Sequence, residues 1–197
     1  MLNAGKAILG ANAATWAPQE VVYEQKYDLG VMDVEAFVGG LIEGLIQKDD
    51  LPEIQECMKN TETVATEVNK IVNEMSAGTF DAIIQGVKDI AALIQQLPTD
   101  LKDCENIQGD VAKITKWGQQ FISPTGLGHI IENVMANWSS IQQDIGAIQA
   151  HIKGSQYEMA GESTADVIIL AAGKIKYAEI NKEVNDAILK SSEMYLM

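Results

Sequence analysis

Arginine is missing from this 197-residue chain: all 14 basic residues are lysine, against 28 acidic residues and a net charge of −14. Arginine is the side chain that best makes paired hydrogen bonds to phosphate and to guanine edges. The net negative charge also repels the nucleic-acid backbone and anionic lipid surfaces. We therefore expect no nucleic-acid binding, and we interpret the charge as a source of solubility.

Long hydrophobic runs are also missing, because a membrane-spanning helix needs about 20 apolar residues in succession. The most apolar stretch is 167–173, which is much shorter and is predicted to belong to a protein core. Residues 1–17 faintly resemble a secretory signal, but Gly10 and Asn12 interrupt the apolar part. We therefore predict no membrane span, and we treat residues 1–17 as part of the mature protein.

Sequence patterns of catalysis or cofactor binding do not occur. The two histidines, His129 and His151, fall near opposite ends of one predicted helix, too far apart for a shared metal ion or a proton relay. The chain has no phosphate-binding glycine loop, no HExxH, no GxSxG and no ExxH pair. The sequence thus predicts a protein that is not an enzyme and that has no cofactor and no metal site.

Apolar residues recur every three or four positions from Asp33 onward, which is the pattern of amphipathic α-helices. Prolines and turn residues divide the pattern into about six segments. The predicted helices span 34–48, 52–75, 80–96, 99–121, 128–153 and 156–189, with Asp33 as the cap of the first. Their short connections predict an all-α, up-and-down helical bundle over residues 33–197.

The first predicted helix contains Gly39, Gly40 and Gly44. Glycine in a helix interior costs about 1 kcal/mol relative to alanine. Three glycines within two turns therefore indicate that another backbone approaches this helix closely. The same glycines, together with the apolar run 167–172, leave open a bundle core that encloses a small apolar ligand.

The only two cysteines lie in similar sequence segments: Cys57 follows Leu51-Pro52, and Cys104 follows Leu97-Pro98. Proline is favourable in the first turn of a helix, so both segments are predicted to begin helices. Alternate helices of an up-and-down bundle run parallel, which places both cysteines at one end. We predict a disulfide and an oxidising compartment; the alternative is two buried thiols in a cytosolic protein.

Residues 1–32 are predicted to form an N-terminal arm outside the bundle. Residues 20–27 lack helical spacing and have the composition of a β-strand. The strand-like side chains are Val21, Val22, Tyr23 and Tyr27. A lone strand has no ladder partner in an all-α chain. Its partner lies on another subunit, or the arm packs through side chains on its own bundle, and the sequence leaves both open.

Asn137-Trp138-Ser139 is a formal N-glycosylation sequon. Such triplets also arise by chance. Trp138 belongs to the apolar face of the predicted fifth helix, so Asn137 is open to modification only if it points outward.

The combination of Phe37-x-x-Gly40, Gly44-Leu45, the LPxxxxC start at Leu51, Cys104 and the late helix 157–173 resembles a known group. These are small, secreted, two-cysteine helical proteins of ciliates and other protists, and the similarity covers about residues 34–173. The group has no assigned activity, so the resemblance implies the fold and the disulfide and transfers no functional residue.

These observations predict a structural or assembly protein: an acidic helical-bundle subunit of an extracellular or lumenal polymer, such as a filament or matrix. In this hypothesis the chain is a homo-oligomer or polymer whose N-terminal arm contacts a neighbouring subunit. The alternative is a soluble carrier of a small apolar ligand in the bundle core.

Overall fold

A computed structural model describes residues 27–48, 50–58, 61–121 and 123–175. All regular structure within these residues is helical, which confirms the all-α prediction. The α-helices are α1 (Val31–Ile46), α2 (Leu51–Cys57), α3 (Thr61–Ala77), α4 (Phe80–Asp100), α5 (Gln108–Gly118), α6 (Pro124–Ala136), α7 (Trp138–Lys153) and α8 (Tyr157–Ala172). Two short 3₁₀ turns, Glu105–Ile107 and Gln119–Phe121, flank α5.

The described residues contain eight α-helices where about six were predicted, because two predicted helices are each broken in two. The predicted helix 52–75 divides into α2 and α3, and the backbone of Met58 turns extended after α2. The predicted helix 128–153 divides at Asn137, which ends α6 and precedes α7. Asp33 is not the cap of α1; the helix begins at Val31, and the Asp33 carboxylate accepts the Gly30 N–H (3.0 Å).

The prediction that Pro98 begins a helix is wrong, because α4 continues through Pro98 to Asp100. Proline inside a helix removes the hydrogen bond to the carbonyl four residues earlier, here that of Ile94. The Thr115 hydroxyl of α5 lies 3.4 Å from this carbonyl but donates its proton to the nearer Val111 carbonyl (2.8 Å), and Gln95 Nε2 donates to the Thr115 carbonyl (3.1 Å). Helix α5 thus packs beside the turn that contains Pro98, and Cys104 lies in the connection between α4 and α5.

The last helix ends earlier than predicted. Gly173 follows α8 with φ of 89°, a conformation that favours glycine and ends the helix at Ala172. The remainder of the predicted helix, residues 176–189, lies outside the described residues.

The glycine-rich face of α1 packs on α8, and this is the most extensive helix contact in the described part of the chain. A Cβ atom on Gly40 would overlap the Glu158 carbonyl, and one on Gly161 would overlap the Phe37 carbonyl. The predicted close approach of another backbone is confirmed. The backbone of α8 therefore occupies the glycine-rich face of α1, where the sequence had left room for a small apolar ligand.

The core is one cluster of apolar, mainly aliphatic, side chains to which every α-helix contributes. Fully buried examples from successive helices are Leu41, Ile54, Ile71, Ile90, Ile114, Val134, Ile141 and Val167. The apolar run 167–172 belongs to this core, with Val167, Ile168 and Ala171 buried. Helix α3 lies against α1, α4 and α7, so one of its faces is left for the arm.

Candidate assembly site at the N-terminal arm

Helix α3 carries two asparagines one turn apart, Asn69 and Asn73. Positions i and i+4 lie on the same face of a helix. Each residue is only 8% exposed, and a buried carboxamide is stable only when its donors and acceptor find partners. A buried pair of this kind therefore indicates that something polar is bound along this face.

The two carboxamides bind the main chain of the arm, and we call Asn69 and Asn73 the arm clamp. Asn73 Oδ1 accepts the Tyr27 N–H (2.9 Å), and Asn73 Nδ2 donates to the Tyr27 carbonyl (2.9 Å). Asn69 makes the same pair of bonds to Leu29, at 2.7 Å to its N–H and 3.2 Å to its carbonyl. Each asparagine thus occupies both polar groups of one arm residue.

The clamp matches the geometry of an extended chain. Alternate residues of an extended chain present their N–H and C=O groups to the same side, about 6.8 Å apart. Four residues of an α-helix advance about 6 Å, so two asparagines one turn apart meet Tyr27 and Leu29 in register. The side-chain amides of α3 take the place that a neighbouring strand would occupy.

Apolar burial supports the same contact. Leu29 is 5% exposed and belongs to the core cluster, and half-buried Tyr27 packs against that cluster. Burying one leucine side chain contributes about 2 kcal/mol. The arm is therefore fixed by side chains as well as by main-chain hydrogen bonds at residues 27–29.

For residues 27–30, the arm packs on its own bundle, which is one of the two arrangements that the sequence left open. Tyr27 belongs to no strand, and its main chain is hydrogen-bonded to a side chain of α3. The other predicted arm residues, Val21, Val22 and Tyr23, lie outside the described residues. Residues 1–17 lie outside them too.

Cys57 and Cys104 form a disulfide in the structure, with their Cα atoms 5.3 Å apart. The bond joins the end of α2 to the connection after α4. It spans 47 positions in sequence, and closing a loop of that length stabilises a fold by about 4 kcal/mol in the chain-entropy description.

The sequon residue Asn137 directs its amide at α8. Its Nδ2 donates to the carbonyls of Leu170 (3.1 Å) and Asn133 (3.0 Å), and Asn133 Nδ2 donates to the Ala171 carbonyl (3.0 Å). Asn133 lies in α6, and Asn137 follows one turn later at the end of that helix. Together they bind the last turn of α8. A glycan on Asn137 Nδ2 would displace these bonds.

The histidines do not meet. His129 on α6 lies 3.7 Å from Glu132, and His151 on α7 lies 3.1 Å from the Gln156 side chain. Each histidine thus contacts a residue close to it in sequence, and these contacts do not bring the two histidines together.

Sequence reasoning missed a group of three half-buried carboxylates where α1 meets α8, formed by Glu43, Glu158 and Glu162. Their nearest oxygens lie within 4.8 Å of one another. Burial, then the charges of Glu43 and Asp166, raise the pKa of Glu162. Protonation relieves this repulsion, and we assign no metal ion to the group.

Fold and site together define a small, acidic, disulfide-bonded helical bundle with an anchored N-terminal arm. The chain belongs to the SctB-like family, described as secreted protein B-like, whose model matches residues 19–171. The match includes α1 to α7, most of α8 and the arm from residue 19. No curated protein and no solved structure matches the chain.

The family description agrees with the secreted character that the resemblance and the disulfide predict. The narrower link to ciliates and other protists stays a prediction. None of the helices in the described residues has the length and apolar character needed to cross a membrane.

Proposed function

We propose that this protein is a non-enzymatic structural subunit of an extracellular or lumenal homo-oligomer or polymer, and that its N-terminal arm contacts a neighbouring subunit. The observation that carries this proposal is the arm clamp, which holds the main chain of Tyr27 and Leu29. The chain before this anchor contains the strand-like residues Val21, Val22 and Tyr23.

The arm clamp fixes the point at which the arm leaves the surface of the bundle. A segment tethered at a defined point loses less conformational freedom on docking than a free one. Strand addition to another subunit would then satisfy the polar groups of residues 20–26. Because an arm and its acceptor are different surfaces, such contacts are head-to-tail and can propagate into a filament.

The use of four asparagine side chains supports a role without catalysis. Asn69 and Asn73 bind the arm, while Asn133 and Asn137 bind the end of α8. The Nδ2 group of each asparagine donates to the protein's own backbone. The carrier alternative has lost its main support, since α8 fills the glycine-rich face of α1.

Sedimentation velocity on the full chain and on a chain that begins at Tyr27 tests the proposal. The truncation keeps the anchor residues Tyr27 and Leu29, so we expect unchanged circular dichroism and thermal unfolding together with loss of the assembled species. A full-length triple variant with Val21, Val22 and Tyr23 changed to Ser should also lose assembly.

A matched full-length variant carries the changes L2S, I8S and L9S, outside the strand-like segment, and should assemble normally. An unaltered oligomer in the truncated chain would contradict the proposal. So would a full chain that sediments as a monomer at every concentration.

A further inference from the structure

Carboxyl groups line the contact between α3 and α4. Glu67 and Glu74 lie on α3, Asp89 and Asp100 lie on α4, and Lys70 is the cation that faces them. We call these five residues the acidic seam. Glu74 is only 3% exposed and Asp100 only 5%, so at least two of the acids are withdrawn from water.

Glu74 of α3 and Asp89 of α4 face each other across the seam. Asp89 accepts hydrogen bonds from Gln85 Nε2 (3.3 and 3.2 Å) and pairs with Lys70 Nζ (3.2 Å). These contacts fix the position of the Asp89 carboxyl group beside α3. The carboxyl of Glu74 hydrogen-bonds to Asp89, and such a bond between two acids requires that one of them hold a proton.

The charged groups that face Glu74 are Asp89 of α4 and Lys70 of its own helix. Glu74 Oε2 is buried and has no hydrogen-bond partner. Burial first, then the bond to Asp89 and its charge, raise the pKa of Glu74 to about 8, against the smaller opposing effect of Lys70. Glu74 is therefore the member of the pair that holds the proton.

Glu67 repeats the arrangement two turns earlier on α3. Gln96 Nε2 donates to Glu67 Oε1 (2.9 Å), while Glu67 Oε2 is buried without a partner. The charged groups that face Glu67 are Asp100 and Asp89 of α4 and Lys70 of α3, and burial is the main cause that raises its pKa. The two acids that α3 contributes to the seam, Glu67 and Glu74, are thus more easily accommodated when protonated.

We propose that the acidic seam is a pH-sensitive contact between α3 and α4, closed at acidic and neutral pH by the proton that Glu74 shares with Asp89 and weakened at alkaline pH, where that proton is lost. No bond other than O–H is made or broken, and the proton passes to solvent. The contact therefore stays closed in acidic and neutral surroundings and weakens only in alkaline ones.

The sign of the pH dependence follows from linkage. The folded chain holds the Glu74 proton to a higher pH than the unfolded chain, so the stabilisation is complete below the ordinary glutamate pKa. It is lost as the pH rises through about 8. Between the ordinary glutamate pKa and about pH 8, one such group changes the unfolding constant by at most about tenfold per pH unit.

Equilibrium unfolding between pH 5 and pH 9 tests the proposal with Glu74→Gln, which keeps the size of the side chain and imitates its protonated form. We expect the unfolding constant of the wild type to rise roughly a hundred- to a thousandfold over this range, because the pKa of Glu74 moves from the ordinary glutamate value to about 8. Glu74→Gln should remove most of this rise. Glu62→Gln, an exposed acid on the same helix, should leave it unchanged.

A Glu74→Gln variant with the same pH profile as the wild type would overturn the proposal. If that variant does not fold, carbon-13 NMR of the wild-type carboxyl groups supplies an independent measurement. The Glu74 carboxyl should then titrate near pH 8, and a midpoint at the ordinary value for glutamate would overturn the proposal equally.

Discussion

Asn73 Nδ2 donates to the carbonyl oxygen of Asn69, 2.7 Å away, while the same amide binds Tyr27. Asn137 makes the equivalent bond to Asn133 (3.0 Å) while it binds α8. In both pairs the second asparagine is oriented by the first, so it is held ready for a backbone carbonyl. One side-chain arrangement thus fixes both ends of the described chain.

Asn73→Ala should destabilise the fold by about 2–3 kcal/mol, because it removes the two hydrogen bonds that Asn73 makes to the main chain of Tyr27. Urea unfolding measures the loss. Asn106→Ala, at an exposed position, is the control and should change the stability by less than about 0.5 kcal/mol. Equal stability of the two variants would show that the arm clamp contributes nothing.

Asn137 should remain unglycosylated when the protein is made in a eukaryotic secretory pathway, because its amide bonds to α6 and α8. Intact mass before and after treatment with a peptide N-glycosidase measures occupancy. Lys153→Asn creates the sequon Asn-Gly-Ser at an exposed site and should acquire a glycan. A glycan at Asn137 in the folded wild type would contradict the prediction.

Gly40→Ala should destabilise the fold by about 2–4 kcal/mol, because the new methyl group would overlap the Glu158 carbonyl where α1 meets α8. Gly146→Ala is the matched control. It lies within α7, where a new methyl group would meet no atom within 4 Å, and we expect it to stabilise the fold by about 0.5–1 kcal/mol. Thermal unfolding of both variants separates steric overlap from helix propensity.

Reduction should lower the stability by up to about 4 kcal/mol, because it removes the Cys57–Cys104 constraint on the unfolded chain. Tryptic peptides that contain the two cysteines should be linked before reduction and separate after it. The Cys57→Ser, Cys104→Ser double variant should not respond to reductant. Complete thiol labelling of the unfolded, unreduced protein would refute the bond.

Helical spacing and composition were sufficient for the fold class and for the close contact on the face of Gly40 and Gly44. These properties depend on local sequence and on the size of side chains. The course of α4 through Pro98 was not predictable locally, because α4 is bound there by a later helix, for example through the bond from Gln95 Nε2 to the Thr115 carbonyl. Local rules consider only the helix that contains the proline.

The arm clamp and the acidic seam were missed for a related reason. Polar residues such as Asn69 and Glu74 are normally exposed, and their burial depends on which segment lies opposite. A signal was present in the spacing. Asn69 and Asn73 are four positions apart and Glu67 and Glu74 are seven apart, so each pair shares one helix face.

The Cys57–Cys104 bond closes a covalent ring that contains the whole of α3 and α4. The acidic seam runs between the two helices inside this ring. In the proposed weakening of the seam, the entry to α3 and the exit from α4 stay joined through the disulfide. The bond therefore limits how far the two helices can separate.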